Sequence, residues 1–266
     1  LKSLEFKEPS RHRVIDDISN TIGALDSTEE KTPHEEEDEM WKSFYRGVKF
    51  LDDMNGYREL DKTQVIAARR LEIEYFRKMG VYKKVDRAEA QRLGAKIITT
   101  KWLDTNKGDD TAPNYRSRLV GREIKNDNRL DLFAATPPLE TLKFITAICA
   151  KGQVGTQRKR MAVIDIKRAY FYAPAKRPVF IEIPAEDREP GDENQVGQLA
   201  LSRYGTRDAA QNWSEEYTST LKSWGFEVGK SSPCNFRHRV KEITMTVHGD
   251  DFAVTGTTAQ LKWLGE

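Results

Sequence analysis

The sequence predicts an α+β fold. Three long segments read as amphipathic or buried helices, and a larger number of short runs read as strands. Helices and antiparallel strands come in mixed order rather than in regular alternation, and no internal repeat is visible. At 266 residues, with 38% hydrophobic and 32% charged residues, the chain is long enough to bury a substantial core.

The elements follow in order. Residues 1–38 are poor in apolar content, and seven of the eleven residues from Glu29 to Glu39 are acidic. Such a run cannot bury enough apolar surface to offset ordering, so 1–38 is expected to be a disordered acidic tail. Residues 39–266 are expected to form the folded part. "QVIAARRLEIEYFRKMGVY" places Val65, Ala68, Leu71 or Glu72, Tyr75 or Phe76, and Met79 near helical spacing, with Gly80 as the stop. "AKIITTKWLDTNKG" and "NYRSRLVGREI" read as two strands around a polar loop. "ETLKFITAICAKG" reads as a helix after Pro137 and Pro138. The continuous apolar run Met161–Ala162–Val163–Ile164 predicts a buried strand, and "VFIEIP" and "GQLALS" predict two short ones. In "RDAAQNWSEEYTSTLKSWGF", Trp213, Tyr217, Leu221 and Trp224 fall on one helical face.

Composition excludes some classes. No run of 18 apolar residues exists, so no membrane-spanning helix is expected, and no secretory signal is visible. Two cysteines, Cys149 and Cys234, make no disulfide framework, so a reducing compartment is the simpler assumption. A net charge of +2 does not decide for or against a nucleic-acid partner. The chain begins at Leu1 and stops at "LKWLGE", which we read as marks of a fragment.

Two Gly-Asp-Asp triplets invite comparison. Asp109 and Asp110 lie among Asn, Lys, Thr, Ala and Pro, the composition of a solvated loop tip. Asp250 and Asp251 lie in "ITMTVHGDDFAVTG", where Ile243, Met245 and Val247 alternate with Thr244, Thr246 and His248. That pattern predicts a hairpin with the acids at its tip. Asp and Gly are also ordinary turn residues, so the local pattern alone leaves both readings open. The strand "MAVID" ends in a third acid, Asp165. A carboxylate at the end of a buried strand caps the next turn or meets a partner. If that strand lies beside the hairpin, the three carboxylates converge. Hard cations such as Mg2+ suit clustered carboxylates that share them with phosphates.

The order of segments then resembles the reverse transcriptase of Ty1/copia-type retrotransposons. The resemblance rests on "GVYKKV", "KWLDTNKG", "YRSRLVGREI", "DLFAATPPLETLKFITAICA", "MAVIDIKRAYFYAP", "VFIEIP", "LALSRYGTRDAAQNW" and "HGDDF", and covers about residues 40–266. It implies the fingers and palm of a right-hand polymerase, truncated before the thumb. It implies RNA-directed DNA synthesis by two-metal nucleotidyl transfer, with two Mg2+ or Mn2+ ions. The implied partners are a primed RNA or DNA template, deoxynucleoside triphosphates and other polyprotein regions. Asp165 matches the first catalytic carboxylate, and Asp250 and Asp251 match the aspartate pair of a Tyr-x-Asp-Asp motif. Asp165 and Asp250 would bind metal directly, Asp251 less directly, and the Ile166 carbonyl would add a ligand. Tyr170 stands where similar enzymes place a ring against the nucleotide sugar, although "AYFY" fits a core tyrosine equally well. Lys101, Arg116 and Arg118 would meet the triphosphate, while each alone also fits a solvated strand position.

Tyr204, Gly205, Arg207 and His248 would contact template and primer. "YGTRDAAQNW" departs from the family's usual Tyr-Gly-Leu-Lys-Gln-Ala-Pro-Arg-Ala-Trp. Asp208 stands in place of Gln, which predicts an unfavourable charge near phosphates, and His248 replaces the usual Tyr. These departures leave a second reading open, a silent remnant that at most binds nucleic acid. A third reading, another palm-fold nucleotidyl enzyme such as a cyclase, is opposed by "YRSRLVGREI". Cys234 and His238 fit a core thiol and a surface imidazole better than half a zinc site. "RKR" at 158–160 fits a solvated loop, and the tryptophans fit packing roles.

Overall fold

The computed structural model describes residues 33–124, 132, 134–155 and 157–265, with side chains from Glu39 onward. The expected tail thus lies mostly outside the described residues, and its expected end near 38 falls inside the first helix. In chain order the elements are α1 Pro33–Phe44, α2 Lys62–Met79, β1 Tyr82–Asp86, α3 Arg87–Arg92, β2 Ile97–Ile98, β3 Thr100–Asn106 and β4 Tyr115–Gly121. Then come α4 Leu139–Lys151, β5 Gln153–Val154, β6 Gln157–Arg158, β7 Arg160–Asp165, β8 Phe180–Ile181 and β9 Gln195–Leu199. The last are α5 Ala209–Ser223, β10 Glu227–Val228, β11 Asn235–His238, β12 Ile243–His248, β13 Asp251–Gly256 and α6 Thr258–Leu264. The class is α+β.

The largest sheet has five strands in the order β10-β11-β12-β13-β7, all antiparallel. One face carries Ile243, Met245, Val247, Phe252, Val254 and Ile164, which pack on Trp213, Tyr217 and Leu221 of α5. The helix phase predicted from sequence holds for those three α5 residues. Trp224 does not extend the stripe: it is the C-cap, 37% exposed, because the helix ends before it. On the opposite face α4 lies near β7, where the Thr146 hydroxyl meets the Met161 sulfur at 3.9 Å. β7 is the edge strand, which corrects the expectation of a fully buried run. Ile164 is buried, but Val163 is 46% exposed on the other face.

A second core joins α1 and α2 to the β3–β4 ribbon. The stripe of α2 that faces it is Val65, Ile66, Arg69, Glu72, Ile73 and Phe76. Leu71 points outward and Glu72 inward, so the ambiguous phase resolves in favour of the charged residue. Burying Arg69 and Glu72 is tolerated because each is paired. Arg69 makes a fork to Asp104, Nε to Oδ1 at 3.1 Å and Nη2 to Oδ2 at 2.5 Å, and lies over the rings of Phe50 and Trp102. Gly80 ends α2 in a left-handed conformation.

The short 3-10 turn Ala169–Tyr172 ties the two cores together. Ala169 belongs to the sheet core and Phe171 to the helical core, where it meets Phe76 edge-on at 5.1 Å. A second junction is glycine-dependent. The N–H of Gly121 donates to the Tyr204 carbonyl at 2.8 Å, and the N–H of Glu123 donates to the Gly205 carbonyl at 3.2 Å. Gly205 has φ +85°, and a Cβ there would lie 2.0 Å from the Gly121 carbonyl oxygen.

That geometry gives a test. Gly205→Ala combines backbone strain with overpacking and should cost about 2–4 kcal/mol of unfolding free energy. Gly94→Ala, where φ is also positive but nothing lies within 4 Å, should cost only about 1 kcal/mol. Urea unfolding of both variants would measure the difference, and equal losses would show that the Gly121–Gly205 contact is not tight.

Candidate active site

The hairpin tip is built from a two-residue turn. Gly249 takes φ +64°, as the first position of a glycine-first hairpin turn requires. Both turn carbonyls are anchored. The Trp213 indole N–H donates to the Gly249 carbonyl at 2.8 Å, and the Ile166 amide donates to the Asp250 carbonyl at 3.0 Å. Trp213 and Ile166 are buried at 1% and 2% exposure, so the tip is held from beneath on both sides.

The second anchor fixes the relation of the acids. In the β13–β7 ladder Asp251 is directly opposite Asp165. The bond from Ile166 to Asp250 brackets that pair, which makes it a non-hydrogen-bonded antiparallel pair. In such pairs the Cα atoms approach to about 4.5 Å and both side chains leave the same face of the sheet. His248 is opposite Asp251 on the other side, so His248, Asp251 and Asp165 form a row across three strands. All three are exposed, on the face opposite the α5 core, and Asp250 is half-buried at the tip.

Like charges directly opposite one another are destabilising, and at Asp251 this adds to the effect of burial. Partial burial, then the charges of Asp250 and Asp165, push its carboxyl above the usual carboxylate range, while His248 pulls the other way. Among the described residues no group of three or more His, Cys, Asp or Glu side chains is arranged to hold a metal ion. The donor set nonetheless fits Mg2+, which takes one or two protein carboxylates and completes its shell with water and phosphate oxygens.

Other candidates gather around the same tip. The rings of Tyr170 and Tyr204 are 4.4 Å apart, and the Arg118 guanidinium lies 4.8 Å over the Tyr204 ring. Burial, then the Asp250 charge, raises the Tyr170 phenol, while Arg118 opposes the shift. Burial also pushes Tyr204 up to about 12, with Arg118 opposing and Asp250 adding. Arg116 and Arg118 sit two apart on β4 with side chains on its open face. Lys101 shares that face but is drawn to Asp53, Nζ to Oδ1 at 3.0 Å. The Arg207 backbone N–H donates to the Glu123 carboxylate at 2.8 Å.

Two further acids have local partners in the structure. Asp208 is buried at 6% exposure and faces Arg177, not open solvent. Arg177 Nη2 donates to Asp208 Oδ1 at 2.9 Å and to Glu123 Oε2 at 2.6 Å, and Asn212 Nδ2 donates to Asp208 Oδ2 at 3.3 Å. The acid is therefore buried against a guanidinium that it shares with Glu123, which corrects the expectation of an open charge. Asp109 behaves as a loop acid. Its Oδ1 accepts from the Thr111 hydroxyl and from the amides of Thr111 and Ala112, in the β3–β4 loop and outside the five-stranded sheet.

The segments that build this site fall inside a family match. Residues 80–262 match the family described as reverse transcriptase (RNA-dependent DNA polymerase). The chain belongs to the reverse transcriptase family, of the Ty1/copia type. It is similar to a retrovirus-related Pol polyprotein from transposon TNT 1-94 of Nicotiana tabacum, with 24% identity over 204 residues. That match covers 74% of this chain and 15% of the relative, so the chain spans a small part of the polyprotein's length. The reverse transcriptase match includes Asp165, Asp250 and Asp251, as well as Lys101, Arg118, Tyr170 and Tyr204.

The raised Asp251 carboxyl has a pH signature. Asp251 holds its proton more tightly in the folded chain than in the unfolded one. Its ionisation therefore destabilises the fold above its folded-state pKa and has no effect below the ordinary carboxylate range. Asp251→Asn should raise Tm at pH 7, and the gain should vanish below about pH 4. Asp109→Asn should do the reverse, because hydrogen bonds depress Asp109: stability is lost at pH 7 and the difference closes in acid. A pH-independent gain for Asp251→Asn, measured by thermal melts without divalent metal, would contradict the repulsion.

Proposed function

We propose that the chain carries the RNA-directed DNA polymerase activity of its family. The observation that carries the reading is the close Asp165–Asp251 pair beside Asp250, set against Tyr170, Tyr204 and Arg118 within the matched segment. In this reading the five-stranded sheet with α5 is the palm, and the β3–β4 ribbon with α2 belongs to the fingers of a right-hand polymerase. Partners are a primed RNA or DNA template, deoxynucleoside triphosphates and the other regions of a Pol polyprotein.

Asp165 and Asp250 would hold divalent cations, with Asp251 alongside and the Ile166 carbonyl as a further donor. Two Mg2+ or Mn2+ ions bound there would stabilise the attacking and leaving oxygens of nucleotidyl transfer. The protein groups supply position and charge. Arg118, with Arg116 on the same open face, suits the anionic triphosphate as it approaches the tip. Lys101 would join them only after leaving Asp53. Tyr170 would stand against the sugar and exclude a 2′ hydroxyl. His248, in the row beside Asp251, would contact the primer end, while Tyr204, Gly205 and Arg207 would line the template side. Asp208, whose charge argued for a silent remnant, is buried against Arg177, which it shares with Glu123, rather than open to solvent. Among the described residues no helix is long and apolar enough to cross a membrane, and no membrane partner is proposed.

Primer extension tests the reading, with the chain alone and within the longer polyprotein. Extension with deoxynucleotides should require Mg2+ or Mn2+. Asp165→Asn and Asp250→Asn should each reduce it by at least about 100-fold, as loss of a charged group at the reacting centre does, while primer–template binding persists. Asp109→Asn should leave extension unchanged. Asp208→Gln should not raise it, since the Asp208 carboxylate is buried and bonded to Arg177 and Asn212 rather than aimed at open solvent. Extension that survives Asp165→Asn would mean the acids are wrongly assigned.

A further inference from the structure

Three residues beyond Asp165 the backbone does something costly. Arg168 takes φ +54°, ψ +41°, a left-handed conformation uncommon for a non-glycine residue. The turn it begins, Ala169–Tyr172, places Tyr170 against Tyr204 at the candidate site and Phe171 in the helical core. The Arg168 carbonyl accepts from the Phe171 amide at 2.9 Å, so its backbone is part of the turn.

The side chain of Arg168 is held on α2. Arg168 Nε and Nη2 both donate to Glu72 Oε2, at 3.0 and 2.8 Å. The Arg168 guanidinium lies 4.0 Å over the Tyr75 ring. Glu72 is 3% exposed, and Arg168 is the cation hydrogen-bonded to it. A carboxylate in the core stripe of a helix is a poor packing choice, and the pair gives it a reason to be there. Glu72 also lies close enough to Tyr204 and to the fully buried Arg203 to act on both electrostatically. One buried carboxylate thus sits near Tyr204 and also holds the residue that begins the turn carrying Tyr170.

We propose that Arg168 is a positioning residue: its ion pair with Glu72 locks the left-handed turn between Asp165 and Tyr170, and so sets the discrimination between deoxy- and ribonucleotides. The inference rests on the polymerase reading for its functional half. Its structural half stands alone, since the lock spans α2 and the turn whatever the site does. Arg168 touches neither substrate nor metal in this scheme. It acts by fixing where the Tyr170 ring stands relative to Asp250.

Two substitutions separate the ion pair from the backbone. Arg168→Gly accepts the positive φ without strain but lacks the guanidinium, and Glu72→Gln keeps shape but lacks the charge. Hydrogen exchange, read first, needs no activity. In both variants the amides of Phe171 and Ala173 should exchange faster than in wild type, while those of α5 stay unchanged. Single-nucleotide extension is the second readout. In both variants the ratio of kcat/KM for a deoxynucleotide to that for the matching ribonucleotide should fall at least roughly tenfold, well within what a 1 Å misplacement costs. The fall should come mainly from KM for the two substrates. Arg168→Lys, which restores one charged donor, should recover part of the ratio. Unchanged exchange at Phe171 and Ala173 would overturn the lock. Faster exchange with an unchanged ratio would overturn its role in selectivity. Loss of selectivity in Glu72→Gln but not in Arg168→Gly would assign the effect to Glu72 alone and overturn the role of Arg168. A wild-type chain that extends neither substrate would instead overturn the polymerase reading, with the selectivity claim falling alongside it.

Discussion

The site depends on one register. Because the Ile166 amide bonds the Asp250 carbonyl, Asp251 must stand opposite Asp165 in the closer kind of antiparallel pair. A shift of one residue would send the acids to opposite faces of the sheet and bury one among Trp213 and Phe252. The register is over-determined by burial. Ile164, Phe252 and Val247 share the core face with α5, so the same alternation that fills the core presents Asp165, Asp251 and His248 to solvent. Packing energy on one face therefore maintains an electrostatic conflict on the other. A row of this kind is destabilising by itself, and a divalent cation with phosphate partners, if bound there as proposed, would relieve it.

The rest of the molecule holds other groups against that row. The Trp213 bond to Gly249 anchors the tip to α5, and the Gly121–Gly205 contact brings the β3–β4 ribbon to the segment leading into the same helix. Arg118 thereby reaches the ring of Tyr204, which lies beside Tyr170. The turn after Asp165 is pinned to α2 through Phe171 and Arg168. These junctions combine short polar bonds, a glycine-specific contact and the Phe76–Phe171 edge contact, which together fix geometry at several points.

Much of this was legible in the sequence, for identifiable reasons. The hairpin followed from strict alternation around Gly-Asp-Asp, and the end of α2 from Gly80. The contrast between the two Gly-Asp-Asp triplets followed from their flanks alone. What failed was information carried by distant partners. The phase of α2 was ambiguous because its buried stripe contains Arg69 and Glu72, whose partners Asp104 and Arg168 lie 35 and 96 residues away. Met161–Ile164 read as buried on both faces because an apolar run does not distinguish a central strand from an edge strand. Asp208 read as an exposed liability because nothing in "YGTRDAAQNW" points to Arg177. The left-handed Arg168 left no sequence signal, since Gly and Asn are the usual marks of that conformation.

Anomalous scattering from Mn2+ in crystals of the chain with primer–template and a deoxynucleoside triphosphate tests the acid row most directly. A peak within about 2.0–2.6 Å of carboxylate oxygens from both Asp165 and Asp250, with Asp251 beside it and Asp109 free of metal, is the predicted result. A peak elsewhere, with Asp165 and Asp251 still facing each other and no ion between the strands, would contradict it.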